Sequence, residues 1–329
     1  MKILVTGSAG HLGDALTRTL RSQGHAVTGL DIVPAPGTDV VGSIVDRALV
    51  AQCMRGVDAV LHTATLHKPH VHSHGRQAFI DVNVTGTLNL LEEAAAAGVR
   101  RFVFTSTTSA FGDALSPPPP APAAWITEDV APVPKNIYGV TKVAAEDLCQ
   151  LFHRNQGLPV LVLRTSRFFP EPDDDERRRD GFDDLNLKVI ELLHRRVDIQ
   201  DVVDAHLLAM QRAPDIGFGR FIISATSPFE RADLGQLRGQ APAALRRICP
   251  DFERVFAERG WRMVDDIDRV YVNQRARDIL GWRPQYDFSR ALADLAQGRD
   301  PRSPLTHVIG HKGYHPGRGD GGIYSAPVG

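Results

Sequence analysis

Apolar positions along the 329-residue chain fall into short runs that alternate with amphipathic stretches. Ile3 to Thr6 make a β-branched run ending in glycine, an amphipathic stretch follows from Leu12 to Leu20, and a second apolar run spans Ala26 to Leu30. That order predicts a β-α-β unit. Further strands are expected at Ala59 to His62, Arg101 to Thr105 and Val160 to Arg164, with helices over Gln77 to Ala97 and Tyr138 to Gln156 between them. Within 77–97, Leu90, Leu91, Ala94 and Ala97 recur at helical spacing and Gly98 stops the helix. Strands alternating with helices predict an α/β fold with a Rossmann-type doubly wound parallel sheet, covered on both faces.

After Arg164 the alternation stops. The segment from Glu171 to Asp184 is dense in both charge signs and reads as a solvated loop, with a mobile flap over a cleft as the alternative. Helices are expected at Leu185 to Arg195 and Asp201 to Arg212, a strand at Arg220 to Ser224, and short helices as far as Gln297. From Gly298 the chain is rich in Gly, Pro and His without a period, which predicts an irregular tail over 298–329.

Composition narrows the class. With 43% hydrophobic and 23% charged residues and a net charge of -1, the chain reads as an ordinary globular protein without the basic balance of a nucleic-acid binder. No stretch approaches the roughly 18 apolar residues of a membrane span. Cys53, Cys149 and Cys249 are odd in number and far apart, so neither a disulfide framework nor a Cys-x-x-Cys metal pair is expected, and a cytoplasmic location fits. The apolar run Ile3 to Val5 is too short for a signal peptide.

The segment TGSAGHLG places Gly7, Gly10 and Gly13 between the first strand and the first helix, where backbone N–H groups and the helix dipole can face a pyrophosphate. Asp31 ends the second strand, eighteen residues beyond Gly13. A carboxylate there accepts from ribose hydroxyls and repels a 2'-phosphate, so NAD is expected over NADP. Downstream, Tyr138 and Lys142 stand four residues apart on one helical face. A neighbouring ammonium together with the positive nicotinamide ring is expected to bring the phenol, ordinarily near 10, toward working pH, making Tyr138 a general base. The hydroxyl-rich run Thr105 to Ser109 lies at the carboxyl end of its strand, where ligands bind in open α/β sheets.

These motifs, with His62-Thr63-Ala64-Thr65, Asn83-Val84-Thr85-Gly86-Thr87, Leu163-Arg164, RRVDIQDVVDAH and NQRARDILGWRPQYDF, resemble the extended short-chain dehydrogenase/reductase family, which includes nucleotide-sugar epimerases and dehydratases. The resemblance implies an NAD-binding Rossmann domain over 1–164 with elements continuing to about 225, and a mainly substrate-binding region over 165–297. It gives Thr107, Tyr138 and Lys142 the catalytic places. Cofactor contacts fall on Gly7, Gly10, His11, Leu12 and Gly13, on Asp31 and Ile32, and on Ser43 and Ile44, where Ser43 replaces an adenine-binding Asp of many members. They continue at Thr63, Ala64, Thr65, Asn83 and Thr105, and Tyr138 and Lys142 also bear on the cofactor. A homodimer is implied, in which Ala144, Ala145, Leu148 and Leu151 offer an apolar stripe, core packing being the alternative.

Departures from the family pattern narrow the chemistry. The dehydratases place Asp and Glu after the catalytic Thr, but here Thr108 and Ser109 follow Thr107, which disfavours elimination. What remains is a sugar 4-epimerase that keeps its NAD, a dehydrogenase of a non-nucleotide sugar, sugar acid or hydroxy or amino acid, or a non-catalytic NAD-binding regulator. Only about thirty residues separate Arg164 from Arg196, where nucleotide-sugar enzymes insert a longer stretch. Arg167 stands where relatives have a substrate-contacting Asn; with Arg195 and Arg196 it is placed either to grip an anion or to form salt bridges. His67 and Thr108 complete the candidate substrate contacts. His62, His67, His70, His72 and His74 crowd one loop, but no acidic or thiol ligand accompanies them, so no metal is expected. His307, His311 and His315 recur at spacing four, with Gly310 and Gly313 opposing a shared helical face.

Overall fold

The computed structural model describes residues 1–173 and 175–313. Seven parallel strands form its central sheet: β1 (Lys2–Thr6), β2 (Ala26–Asp31), β3 (Val40–Val41), β4 (Ala59–His62), β5 (Arg101–Thr107), β7 (Val160–Thr165) and β8 (Phe218–Ile223). Their order is β3-β2-β1-β4-β5-β7-β8. The chain winds outward from β1 to β3 and then returns to the far side of β1, so the winding reverses between β1 and β4. A crevice opens at their carboxyl ends, as doubly wound sheets require.

Alternation along each strand builds both faces. Ile3, Val5, Ala59, Leu61 and Val103 pack against Leu16 and Leu20 of α1 (His11–Ser22) and Val202 and Ala209 of α8 (Ile199–Ile216). The intervening Leu4, Val60, Phe102 and Phe104 pack on the opposite side against α2 (Arg47–Cys53), α4 (Gly86–Ala96) and α5 (Ile137–Gln156) through Val50, Leu90, Leu91 and Ala145. Burying each such aliphatic side chain stabilises by about 1.5–3 kcal/mol, which is why these strands read as unbroken apolar runs.

Two segments bend the sequence reading. The helix expected over 77–97 forms as α3 (Arg76–Phe79) and α4 joined by a π-helical turn at Ile80–Thr85, which carries Asn83. The charged segment 171–184 is not simply a solvated loop: Glu171 and Asp173 turn inward onto His11, Arg167 and Arg195, and the short α6 (Glu176–Gly181) follows.

The C-terminal region has its own core, in which Val189 of α7 (Asp184–Glu191) meets Leu237 and Leu245 of α9 (Leu237–Ile248), Phe252 and Phe256 of α10 (Phe252–Ala257), and Phe288 of α11 (Phe288–Ala296). Two three-residue strands, β6 (Ala124–Ile126) and β9 (Arg269–Tyr271), pair in parallel and bring this region to the rim of the crevice. The stretch from Gly298, expected to be irregular, contains α12 (Pro304–Ile309), because Ser303 Oγ accepts from Thr306 N and Pro304 takes the first turn. His307 lies in that helix and His311 beyond it, Gly310 intervening at φ +59. His315 lies outside the described residues.

Candidate active site

One cleft of about 550 Å³ runs from the glycine loop to the carboxyl ends of β5 and β7. Each glycine of the loop has a separate reason. Gly7 is held at φ +73, and a Cβ on Gly13 would lie 1.9 Å from the Gly7 carbonyl oxygen, so the turn and its packing on α1 exclude side chains. Gly10 is different: a Cβ there would meet only the Gly7 oxygen, at 3.3 Å, although the residue lines the cleft. Its bareness leaves room for a ligand rather than for protein, which fits a pyrophosphate at the helix N-terminus. Asp31 is fixed beside it, accepting from Ala9 N at 2.9 Å and Val33 N at 2.9 Å, with lone pairs left for ribose hydroxyls.

The other walls follow from local bonding. Thr63 Oγ1 donates to Thr6 O at 2.7 Å and anchors the loop after β4, while Asn83 Oδ1 accepts from Thr65 Oγ1 and Leu66 N at 2.9 and 2.8 Å. His62 does not reach the cleft. Its two ring nitrogens bond Thr6 and Thr87 hydroxyls at 2.8 and 2.9 Å, and burial pushes its pKa well below the ordinary histidine value, so it ties β4 to β1 and α4 as a neutral group.

Asn136 caps α5, its side chain accepting from Gly139 N at 3.0 Å, and sets Tyr138 in the first turn. A Cβ on Gly139 would stand 3.0 Å from Pro134, so glycine lets this turn approach the segment after β5. Burial pushes the Tyr138 phenol up to about 12, against the lowering influence of the Thr107 hydroxyl. In the protein without its cofactor, Lys142 is not among the groups that lower the phenol. Lys142 Nζ instead donates to Thr105 O at 2.6 Å and lies over the Phe104 ring at 4.1 Å, and its own burial brings it down to about 7 against the opposing pull of Glu146. Thr105 Oγ1 turns to His206 Nε2 at 2.8 Å.

Of the residues singled out from sequence, the cleft gathers Gly7, Gly10, His11, Leu12, Gly13, Asp31, Ile32, Ser43 and Ile44 at one end. Thr63, Ala64, Thr65, His67, Thr105, Thr107, Thr108, Tyr138, Lys142 and Arg167 line the remainder. Asn83 and Arg196 are not on its surface: Asn83 supports the loop behind it, and Arg196 donates to Glu191 Oε2 at 2.8 Å and Phe169 O at 3.0 Å. Arg269, Tyr271 and Lys312 also line the cleft and escaped the sequence reading, because β9 is too short to show a period and Lys312 sits in a stretch without one. Among the described residues, no three His, Cys, Asp or Glu side chains gather as a metal site, and no helix is long and apolar enough to cross a membrane.

Residues 3–221 match the NAD dependent epimerase/dehydratase family. An uncharacterized protein of Sinorhizobium fredii, y4nG, is 34% identical over 49% of this chain, and the match spans only 39% of that protein's length. The UDP-glucose 4-epimerase of Rhizobium leguminosarum bv. trifolii is 28% identical over 88% of this chain and 94% of its own. A short-chain dehydrogenase/reductase superfamily protein from Agrobacterium tumefaciens, solved with bound NAD, is 28% identical and superposes with a TM-score of 0.65, covering 90% of this chain and 96% of that one. With the glycine cradle, the acidic end of β2 and the Tyr138/Lys142 pair in one cleft, the chain belongs to the NAD dependent epimerase/dehydratase family and is an NAD-dependent enzyme of the extended short-chain dehydrogenase/reductase type.

Proposed function

We propose that the protein oxidises a secondary hydroxyl of a sugar or nucleotide-sugar and returns the hydride to the opposite face, as a 4-epimerase. The observation that carries this reading is that Thr107, Tyr138 and Lys142 line the same cleft as the glycine cradle. NAD bound there supplies the hydride acceptor and donor. Thr107 holds the substrate oxygen, Tyr138 as phenolate takes its proton and later gives it back, and Lys142 supports the tyrosine and the cofactor ribose. Thr108 and Ser109 provide no second carboxylic acid for elimination. The similarity to UDP-glucose 4-epimerases over most of both chains supports the reaction type.

A second reading, net dehydrogenation of a substrate without a nucleotide, is favoured by one feature. Among the described residues between Thr165 and Arg196, the helices are α6 and α7, of 6 and 8 residues, a short wall for a nucleotide. A non-catalytic NAD-binding regulator would have no use for the Tyr138/Lys142 pair. Mass spectrometry of cofactor released from the purified protein, followed by a panel of sugars, sugar acids and UDP-sugars, separates the readings. Retained NAD and a 4-epimer formed without accumulating NADH are expected; NADH released in step with product overturns the epimerase in favour of the dehydrogenase.

A further inference from the structure

The wall beyond Thr107 is cationic in a way that hydride transfer does not use. In the β5–β7 pair Thr165 stands opposite Thr107, so Ser166 is the next residue past the reacting end. Arg167 N donates to Arg195 O at 3.3 Å and Tyr271 N to His194 O at 3.1 Å, which draws the Arg195 segment and β9 to the same edge. Ser166, Arg195 and Arg269 therefore line one end of the cleft that holds Tyr138.

Each of the three leaves a buried polar atom without a hydrogen-bond partner: Ser166 Oγ, Arg195 Nε and Arg269 Nε. A buried polar group left unpaired is costly, and all three belong to residues that line the same cleft. The charges point to the ligand's sign. Among the described residues, Asp173 is shared by Arg167 at 3.0 Å and Arg195 at 3.2 Å, Glu191 by Arg195 at 2.6 Å and Arg196 at 2.8 Å, and Asp268 meets Arg269 at 2.8 Å. Guanidinium groups that share their carboxylates keep donors for an anion with paired oxygens.

We propose that Ser166, Arg195 and Arg269 receive an oxyanion carried by the substrate, a carboxylate or a phosphate, beside the hydroxyl that Tyr138 deprotonates. This rests on the reading of the cleft as a site of secondary-alcohol oxidation. A planar guanidinium edge donates to two oxygens of either group, and the Ser166 hydroxyl donates to one more. The same site binds a neutral sugar poorly, because its hydroxyls do not compensate two desolvated cations.

Calorimetry on the full-length, NAD-loaded protein tests it with matched ligands: a uronic acid against its methyl ester and parent hexose, a hexose phosphate against the same hexose, and UDP alone. At least one anion is expected to bind about tenfold or more tighter than its neutral partner, and Arg269→Gln is expected to bring that ratio close to one. Ser166→Ala, the milder change, should reduce it without altering the thermal midpoint. Preference for the acid over its ester assigns a carboxylate; preference for the phosphate, or tight UDP binding lost in Arg269→Gln, assigns a phosphate. Equal binding of anion and neutral partner in the wild type, or a ratio that survives both substitutions in folded protein, overturns the proposal. Failure of the oxidation reading looks different: an Arg269-dependent preference would persist in binding while no ligand reduced NAD.

Discussion

Burial drives Tyr138 and Lys142 toward their neutral forms, the phenol up to about 12 and the amine down to about 7. A base with that resting value needs help at the moment of reaction, which on the proposed mechanism Thr107 and a bound nicotinamide ring would give. Tyr138→Phe removes the proton acceptor and keeps the ring, so turnover is expected to fall 10²- to 10⁴-fold while NAD affinity stays within a few fold; a rate within about tenfold of wild type sinks the assignment. For Lys142 the sign runs through the folded value, which lies below the ordinary 10.5, so the folded protein loses this proton as pH rises past about 7. If the ammonium holds the cofactor ribose, NAD affinity titrated from pH 6 to 9 is highest at the acid end and falls through that window, and Lys142→Met flattens the profile. A flat wild-type profile removes the ammonium from the cofactor site. Spacing alone revealed that these two side chains share a helical face. It did not reveal that both are buried, so that without the cofactor desolvation dominates the phenol.

At the scale of elements, a carboxylate within α8 ties that helix to the C-terminal region. Asp201 accepts from Gln285 N at 2.7 Å and Tyr286 N at 2.9 Å, and burial pushes its carboxyl up to about 7. Asp201→Ala strands both N–H groups and is expected to cost about 2 kcal/mol in urea unfolding. Because the folded value lies above the ordinary 3.8, the contribution of this titration to stability is full below that pH and is lost as pH rises through about 7. The wild-type-minus-Asp201→Asn difference in unfolding free energy should therefore be more favourable to wild type at pH 4.5 than at pH 7.5; an unchanged difference refutes the coupling. The main strands and α5 were legible in sequence to within two residues, since each is long enough to show a period and ends in glycine or a cap. The strands β3, β6 and β9 have two or three residues and show no alternation at all. Composition likewise misjudged 171–184, because the partner of Glu171, His11, lies 160 residues away.

Among the described residues, the end of the chain packs back onto α1, and an apolar stripe on α5 stays exposed. Behind α12 the chain returns to α1, where Lys312 Nζ reaches Asp14 Oδ2 at 2.7 Å and Lys312 N donates to Glu171 Oε1 at 3.2 Å, at the pyrophosphate end of the cleft. A half-buried pair of this kind is worth about 1 kcal/mol, so Lys312→Ala is expected to speed NAD release about fivefold in stopped-flow; release within twofold of wild type rejects a cofactor role for this segment. The open face lies on α5. Of the stripe expected there, Ala145 is taken by the core and Ala144 and Leu148 are half-buried, but Leu151 remains 38% exposed and Val140 48%, eleven residues apart and thus three turns along one side. Ile80, 36% exposed, adds to it from the neighbouring π turn. Single exposed apolar side chains are ordinary on a monomer, whereas a two-fold axis would place this stripe against its own copy and bury it twice over. Light scattering at micromolar concentration is expected to give twice the chain mass, and Leu151→Glu, which sets like charges against each other across the axis, to give the mass of one chain with the fold intact by circular dichroism. A wild type that runs as a single chain reduces the stripe to three unrelated surface residues, and the site must then be complete within one copy.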